Sequence, residues 1–333
     1  MLLPFRLVYS NDYYLPIGAH VFPAQKYRMI HDRLIQTGEA DAEDFLEPQP
    51  ARDDDVRLVH GAGYVERLLH GELTMQEEMQ MELPYSPELV RAFWLAAGGS
   101  ILAAERALQD RVCFNIGGGF HHAHPNHGEG FCMIHDVAIA IRKMQKLRRI
   151  RQAMTVDCDV HHGNGTAAIF PSTRRKSRPL PSVSAGQVAS QVMTEERPDE
   201  DSSVFTISLH QEHNYPAYKP QSSIDVNLPD GTTDDEYLAW LDQSLSSALR
   251  QFSPDLICYI AGADPYQQDQ LGGLSLTIAG LKKRDELVFR VAKTRGLPVM
   301  VTYAGGYAHN VQDTVAIHVN TILAARDVWR SQT

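Results

Sequence analysis

The chain has 333 residues, 43% hydrophobic and 22% charged, which excludes disorder over its whole length and leaves apolar material for both faces of a sheet. A formal net charge of -10 argues against a general phosphate-binding surface, so no direct nucleic-acid partner is expected. No run approaches the roughly 18 apolar residues of a membrane span, and Met1 to Tyr9 lacks the basic and apolar regions of a signal peptide, so neither membrane insertion nor secretion is expected.

In chain order, strands are predicted at Leu7 to Tyr9, Val112 to Ile116, Ala153 to Asp159, Val204 to Leu209, Ile224 to Leu228, Leu256 to Ala261 and Pro298 to Tyr303. Several lack strict alternation, the mark of strands buried on both faces of a parallel sheet. Helical patterns intervene at Ala24 to Gln36, Pro87 to Leu108, Asp136 to Arg149, Asp234 to Phe252, Ile278 to Thr294 and Val311 to Ala325. The alternation predicts the α/β class and a three-layer fold, in one domain over 1–333.

Two segments break the pattern. Glu39 to Asp55 carries eight acidic residues and one Arg and reads as a solvated loop. Pro171 to Asp201 joins the basic cluster Arg174-Arg175-Lys176-Ser177-Arg178 to a polar and then an acidic stretch, a composition that reads as a long mobile insertion. Cys113, Cys132, Cys158 and Cys258 form no CxxC pair and read as buried free thiols of a reducing compartment, so a cytoplasmic location is expected.

Polar residues collect just beyond four predicted strands, where open α/β sheets usually hold their ligands. Asp157, Asp159 and His161 alternate at period two, which on a strand puts them on one face, and carboxylates so crowded call for a cation. Asp264, beyond the run Leu256 to Ile260, is the natural third ligand beside Asp159 and His161. His121 and His122 follow the glycines 117 to 119, and Tyr307 follows Gly305 and Gly306 after the last strand. A metal with open positions acidifies water and polarises a carbonyl, an imidazole moves the proton, and a Tyr hydroxyl, with the Gly305-Gly306 backbone beside it, faces the developing oxyanion. Together these predict metal-assisted amide hydrolysis.

These residues resemble the zinc-dependent histone deacetylase superfamily along nearly the whole chain, from Leu7 to about Ala325. The motifs are Gly118-Gly119-Phe120-His121-His122-Ala123, Gly130-Phe131-Cys132 with Asp136, the run Asp157 to Thr166, Ser208-Leu209-His210, Gly262-Ala263-Asp264-Pro265 and Gly305-Gly306-Tyr307. Phe22-Pro23, Lys26-Tyr27-Arg28, Asn214-Tyr215-Pro216 and Leu228-Pro229-Asp230-Gly231 look closest to the class IV-like branch and its bacterial relatives.

The resemblance implies an arginase/deacetylase-type α/β/α sandwich with a central, mostly parallel eight-stranded sheet. It matches Asp159, His161 and Asp264 to zinc ligands, with Fe2+ or Co2+ as alternatives. His121 and His122 match the paired imidazoles, His122 as general base, with Asp157 orienting His121 and Asn164 standing where some branches place an Asp. A neutral Asn there implies a lower pKa for His122. Tyr307 matches the oxyanion donor, Gly130 and Phe131 the wall of an acyl-lysine channel, Leu271 another lining residue, and Lys26 the basic group near an acetate exit path. The opposing Phe wall is not evident in His210 to Tyr215, which leaves channel width and acyl-chain length open. A structural K+ or Na+ is implied at the backbone of Asp157, Asp159 and His161 and at Ser208 and Leu209, with side-chain oxygens from Asp157 and Ser208.

The implied substrate is an acyl-lysine protein, with an acetylated polyamine or other small acylated amine as the alternative. A binuclear ureohydrolase would need further Asp residues where His162 and Asn164 stand, and a non-catalytic acyl-lysine binding protein would have no need of the complete catalytic set.

Overall fold

The structure, a computed structural model, describes residues 2–171, 194–195 and 203–331. Apart from Pro171 and the pair 194–195, the insertion expected at Pro171 to Asp201 lies outside the described residues.

The strands are β1 (Arg6–Val8), β2 (Phe45–Leu46), β3 (Val112–Asn115), β4 (Ala153–Asp157), β5 (Thr194–Glu195), β6 (Val204–Gln211), β7 (Ile224–Leu228), β8 (Leu256–Ile260) and β9 (Val299–Thr302). They form one sheet in the order β2-β1-β3-β9-β8-β4-β6-β7-β5. The first eight in that order are all parallel, and β5 adds a two-residue antiparallel edge against Asp225 and Ile224 of β7. The expected eight-stranded parallel sheet is thus present, with a short ninth strand on its rim.

The helices are α1 (Lys26–Gln36), α2 (Asp53–Val56), α3 (Ala62–His70), α4 (Met75–Met81), α5 (Pro87–Asp110), α6 (Asp136–Lys146), α7 (Asn164–Ile169), α8 (Asp234–Gln251), α9 (Ile278–Arg295) and α10 (Val311–Arg330). Starts and stops follow local chemistry. Ser86 caps α5 ahead of Pro87, Thr277 caps α9 by accepting the Gly280 N–H, and Gly296 ends α9 in the left-handed conformation.

Strand residues alternate between two apolar layers. Cys113, Ala153, Leu256, Cys258 and Met300 pack with Ala103 and Ala107 of α5 and with Val137, Ile141 and Met144 of α6. Phe114, Met154, Ile257, Tyr259 and Val301 pack with Leu241 of α8, Phe289 of α9 and Ile322 of α10. Apolar burial on both faces explains why these runs lack an alternating pattern in the sequence.

Two expectations need correction. Glu39 to Asp55 is not a solvated loop: it contributes β2, and Asp44 and Asp55 are buried. Asp44 accepts the backbone N–H groups of Leu2 and Leu3, while Asp55 pairs with Lys143 at 2.7 Å. The strand expected to run to Asp159 ends at Asp157. Past it, Asp157 Oδ1 accepts the Asp159 N–H at 3.1 Å and Asp159 Oδ1 accepts the His161 N–H at 2.9 Å. Two successive turns of this side-chain-to-backbone kind, and not the pleat of a strand, deliver Asp159 and His161.

Candidate active site

The neighbouring strands β3, β9, β8 and β4 end on the same edge, and the four loops leaving them meet there. The β4 loop brings Asp159 and His161, and the β8 loop brings Asp264; ligand atoms of these three buried residues lie within 4.8 Å of one another. His161 Nδ1 is 3.0 Å from Asp159 Oδ1 and 3.3 Å from Asp264 Oδ2. Asp264 Oδ1 accepts the Val160 N–H at 2.9 Å, locking the two loops together. Its other oxygen is buried with no hydrogen-bond partner among the described residues.

That arrangement fits a divalent cation. Burial and the neighbouring Asp159 charge push the Asp264 carboxyl up, toward the proton it would not need beside a cation. Burial alone would lower His161, but the hydrogen bond to Asp159 and the charges of Asp264 and Asp159 raise it to about 10, so a proton on the ring balances the carboxylates. One imidazole and two carboxylates with room for further ligands is a donor set for zinc-like ions. Gly305 stands against this cluster: a Cβ there would lie 1.8 Å from Asp264 Oδ2, so no larger residue fits. Its N–H donates to Asp159 Oδ2 at 2.7 Å and is therefore spent on holding a carboxylate, not free for the oxyanion role expected of it. Gly306, at φ +150°, carries the chain on to Tyr307.

The β3 loop supplies two buried imidazoles with ring centroids 4.1 Å apart. His121 Nδ1 is 2.7 Å from Asp157 Oδ2, and its Nε2 is 3.7 Å from Asp159. Burial pulls the ring down, yet the two carboxylates outweigh it and raise the pKa to about 9. His122 Nδ1 faces the Asn164 Oδ1 at 2.7 Å, and burial with the charges of His121 and His161 drives its pKa well below 6.5. The adjacent rings are thereby divided, His121 favouring the cationic form and His122 the neutral one.

Tyr307 is buried, its ring 6.2 Å from that of His161 and 6.1 Å from that of Phe131. Burial and the charges of Asp159 and Asp264 push its hydroxyl well above 10, so it stays protonated as a donor. A cavity at this edge is lined by Gly118, His121, His122, Gly130, Phe131, Gly305 and Tyr307, with Phe22. Leu271, expected in that lining, is not among the lining residues; it is partly buried in the loop that Asp269 braces through the Leu271 and Gly272 N–H groups. Lys26 is buried beneath, its ammonium donating to the Ala304 carbonyl. Burial lowers it to about 8 against the opposing pull of Asp264, Asp159 and Asp269.

Ser208 and Leu209 lie on β6 beside β4, with Ser208 opposite Asp157 in register. Ser208 Oγ bonds His210 Nδ1 at 3.0 Å, and both oxygens of Asp157 are engaged, one by His121 and one by the Asp159 N–H.

Three residues of the site were not singled out from the sequence as site residues. Tyr215 packs beside the second imidazole: its ring stands 5.0 Å from that of His122 at 89°, and a Cβ on Gly130 would lie 2.8 Å from Tyr215 Cε1. Asp269 accepts the Tyr307 N–H at 2.6 Å. Glu129 receives the Asn164 Nδ2 at 2.6 Å. The motif Asn214-Tyr215-Pro216 was the only available pointer to Tyr215.

Residues 20–323 match the model of the histone deacetylase domain, and the chain belongs to that family, as a hydrolase of acetyl amides. It is 37% identical to an uncharacterized protein of Picosynechococcus sp. over 98% of this chain and 99% of that one. It is 28% identical to histone deacetylase 2 of Arabidopsis thaliana over 95% of this chain and 78% of that one. Among solved structures, an HDAC homolog from Aquifex aeolicus has a TM-score of 0.75 at 22% identity, covering 98% of this chain and 85% of that one. An acetylpolyamine aminohydrolase from Burkholderia pseudomallei has a TM-score of 0.71 at 17% identity, covering 97% and 99%. At those identities the two structures speak to the fold, an arginase/deacetylase-type α/β sandwich. Among the described residues no helix is long and apolar enough to cross a membrane.

Proposed function

We propose that the protein removes an acetyl group from lysine side chains of proteins, with Zn2+ held by Asp159, His161 and Asp264, and that Fe2+ or Co2+ can take its place. The observation that carries this reading is the paired His121 and His122 rings and the Tyr307 ring gathered beside a buried three-residue ligand set. A divalent ion bound there supplies Lewis acidity toward the amide carbonyl and makes the attacking water more acidic. His122 accepts the proton of that water and returns it to the departing lysine nitrogen, a role suited to a ring that is neutral at pH 7. Asp157 keeps His121 oriented and cationic, which adds positive potential where the amide oxygen gains charge. Tyr307 donates its hydroxyl to the same oxygen. Gly130, Phe131 and Phe22 wall the cavity, a setting suited to the apolar stem of an acyl-lysine.

A K+ or Na+ at the Asp157 to His161 turn and the Ser208-Leu209 backbone remains part of the proposal. So does a reducing cellular compartment, since the four cysteines are buried and unpaired.

The test is turnover of an acetyl-lysine peptide by zinc-reconstituted protein, with acetylspermidine as competitor. Tyr307→Phe is expected to lower kcat by about 10²–10³, and His122→Ala by about 10²–10⁴. Undiminished activity in both variants would falsify the mechanism, and preference for acetylspermidine would move the substrate to small acylated amines.

A further inference from the structure

Glu129 immediately precedes Gly130 of the channel wall and gathers donors from several parts of the chain. Its Oε1 lies 2.6 Å from Asn164 Nδ2 and 3.2 Å from the Tyr215 hydroxyl. Its Oε2 faces Gln80 Nε2 at 3.2 Å and His127 Nε2 at 3.3 Å. Burial would raise this carboxyl, but the hydrogen bonds from His127, Asn164 and Gln80 outweigh it and hold it down to about 2. It is an acceptor at any working pH.

A carboxylate accepts and cannot donate, so the Asn164 atom at 2.6 Å must be the amide nitrogen. An amide oxygen there would set two acceptors against each other. The second hydrogen on Nδ2 has its own acceptor in His124 Nε2 at 3.1 Å. With the nitrogen so engaged, the amide oxygen is the atom that faces His122 Nδ1 at 2.7 Å, and that contact requires the proton to sit on Nδ1. His122 then has its lone pair on Nε2. An amide by itself does not make this choice. Turned over, it would donate to Nδ1, hold the opposite tautomer and leave Nε2 protonated, with no base to offer.

We propose that Glu129 is a positioning residue of the reaction: it fixes the orientation of the Asn164 amide and through it the Nδ1–H tautomer of His122. The inference rests on His122 being the base of the reading above. It explains how a neutral residue at position 164 specifies what a carboxylate there would specify unaided.

The experiment combines 15N NMR of histidine-labelled, zinc-loaded protein, with His122 assigned by difference against His122→Ala, and steady-state kinetics on the acetyl-lysine peptide. Wild-type His122 is expected to carry its proton on Nδ1. Glu129→Gln keeps the shape but can turn either end of its amide toward Asn164, so a population with the proton on Nε2 is expected. Its kcat should fall about 10- to 100-fold, with KM changing less than about threefold. The double variant Glu129→Gln with Asn164→Asp exchanges amide and carboxylate: the new amide at position 129 donates to the new carboxylate at position 164, whose other oxygen accepts the His122 proton. It is expected to restore the Nδ1–H form and most of kcat, which a role confined to bracing Tyr215 and the His124 to Glu129 turn would not do. A wild-type His122 protonated on Nε2, an unchanged tautomer in Glu129→Gln, or a double variant no better than the single one would overturn the proposal. The tautomer is read without turnover, so failure to hydrolyse any acyl amine would count against the function and leave the Glu129 assignment to be decided by NMR.

Discussion

Arg284, with no solvent exposure, lies 2.8 Å from the Asp285 carboxylate on α9 and supports the active site from beneath. Its Nη1 donates to the Gly262 carbonyl at 2.7 Å and the Cys158 carbonyl at 3.2 Å, the peptide groups that flank Asp159 and lead to Asp264. Asp285 also receives the Thr321 hydroxyl at 2.7 Å and the Tyr259 hydroxyl. The two loops that carry the metal-type ligands are therefore held from the helical layer behind the sheet.

Removing one member of such a pair strands the other charge in the interior. Arg284→Met is expected to cost about 3–5 kcal/mol in urea unfolding and to weaken zinc affinity as the two loops lose their common donor. A loss below about 1 kcal/mol would mean that solvent reaches Asp285.

Metal binding should release protons. Without a divalent ion His161 holds a proton up to about pH 10, and the Asp264 carboxyl is raised by burial and Asp159. A cation takes the place of those protons, so zinc affinity should rise with pH and binding at pH 7 should release about one proton or more. Titration calorimetry in buffers of different ionisation enthalpy reads this directly; a binding heat independent of buffer would contradict it.

Asp269→Asn should act on rate more than on binding. Asp269 Oδ2 accepts the Tyr307 N–H at 2.6 Å, while Oδ1 holds the Leu271 and Gly272 N–H groups. Replacing one acceptor by a donor pushes Tyr307 away from its station, and kcat is expected to drop about 10- to 100-fold with the peptide KM little changed. Equal loss in Tyr307→Phe and Tyr307→Phe/Asp269→Asn would establish that both act through the same hydroxyl.

Acid should destabilise the fold through buried histidines outside the Asp159, His161 and Asp264 set. His60 is buried, its Nδ1 3.0 Å from the His124 carbonyl while its Nε2 accepts the His135 N–H at 2.9 Å, and burial lowers its pKa to about 4. Its folded-state pKa lies below its unfolded value near 6.5, so the unfolded chain takes up the proton first. The stability it contributes is present above about pH 6.5 and is lost as pH falls toward 4, by up to about 3 kcal/mol. His210, lowered to about 3 by burial and the charge of His162, adds in the same direction. Urea midpoints between pH 7.5 and 5 should fall more steeply for wild type than for His60→Gln, and parallel curves would reject the assignment.

Much of the site was legible in the sequence because strand ends in a parallel sheet are announced by an apolar run giving way to glycine and polar residues. His121, His122, Asp159, His161, Asp264 and Tyr307 all stand at such transitions. What misled was the period: Asp157, Asp159 and His161 alternate as a strand would, yet β4 ends at Asp157 and side-chain-capped turns carry the rest. The acidic stretch at Glu39 to Asp55 misled similarly, since composition does not reveal that a buried Asp44 meets the backbone donors of Leu2 and Leu3.

By itself, the sequence determined the layers, the parallel sheet and the catalytic residue types, because burial on two faces and glycine-rich strand ends are local patterns. Only the tertiary structure decided that β3, β9, β8 and β4 are neighbours, which brings Asp264 within ligand distance of His161 across more than a hundred residues. The same holds for Tyr215, Asp269, Arg284 and Glu129. Each acts through a hydrogen bond or ring contact to a residue distant in the chain, and no local pattern encodes a partner that only folding supplies.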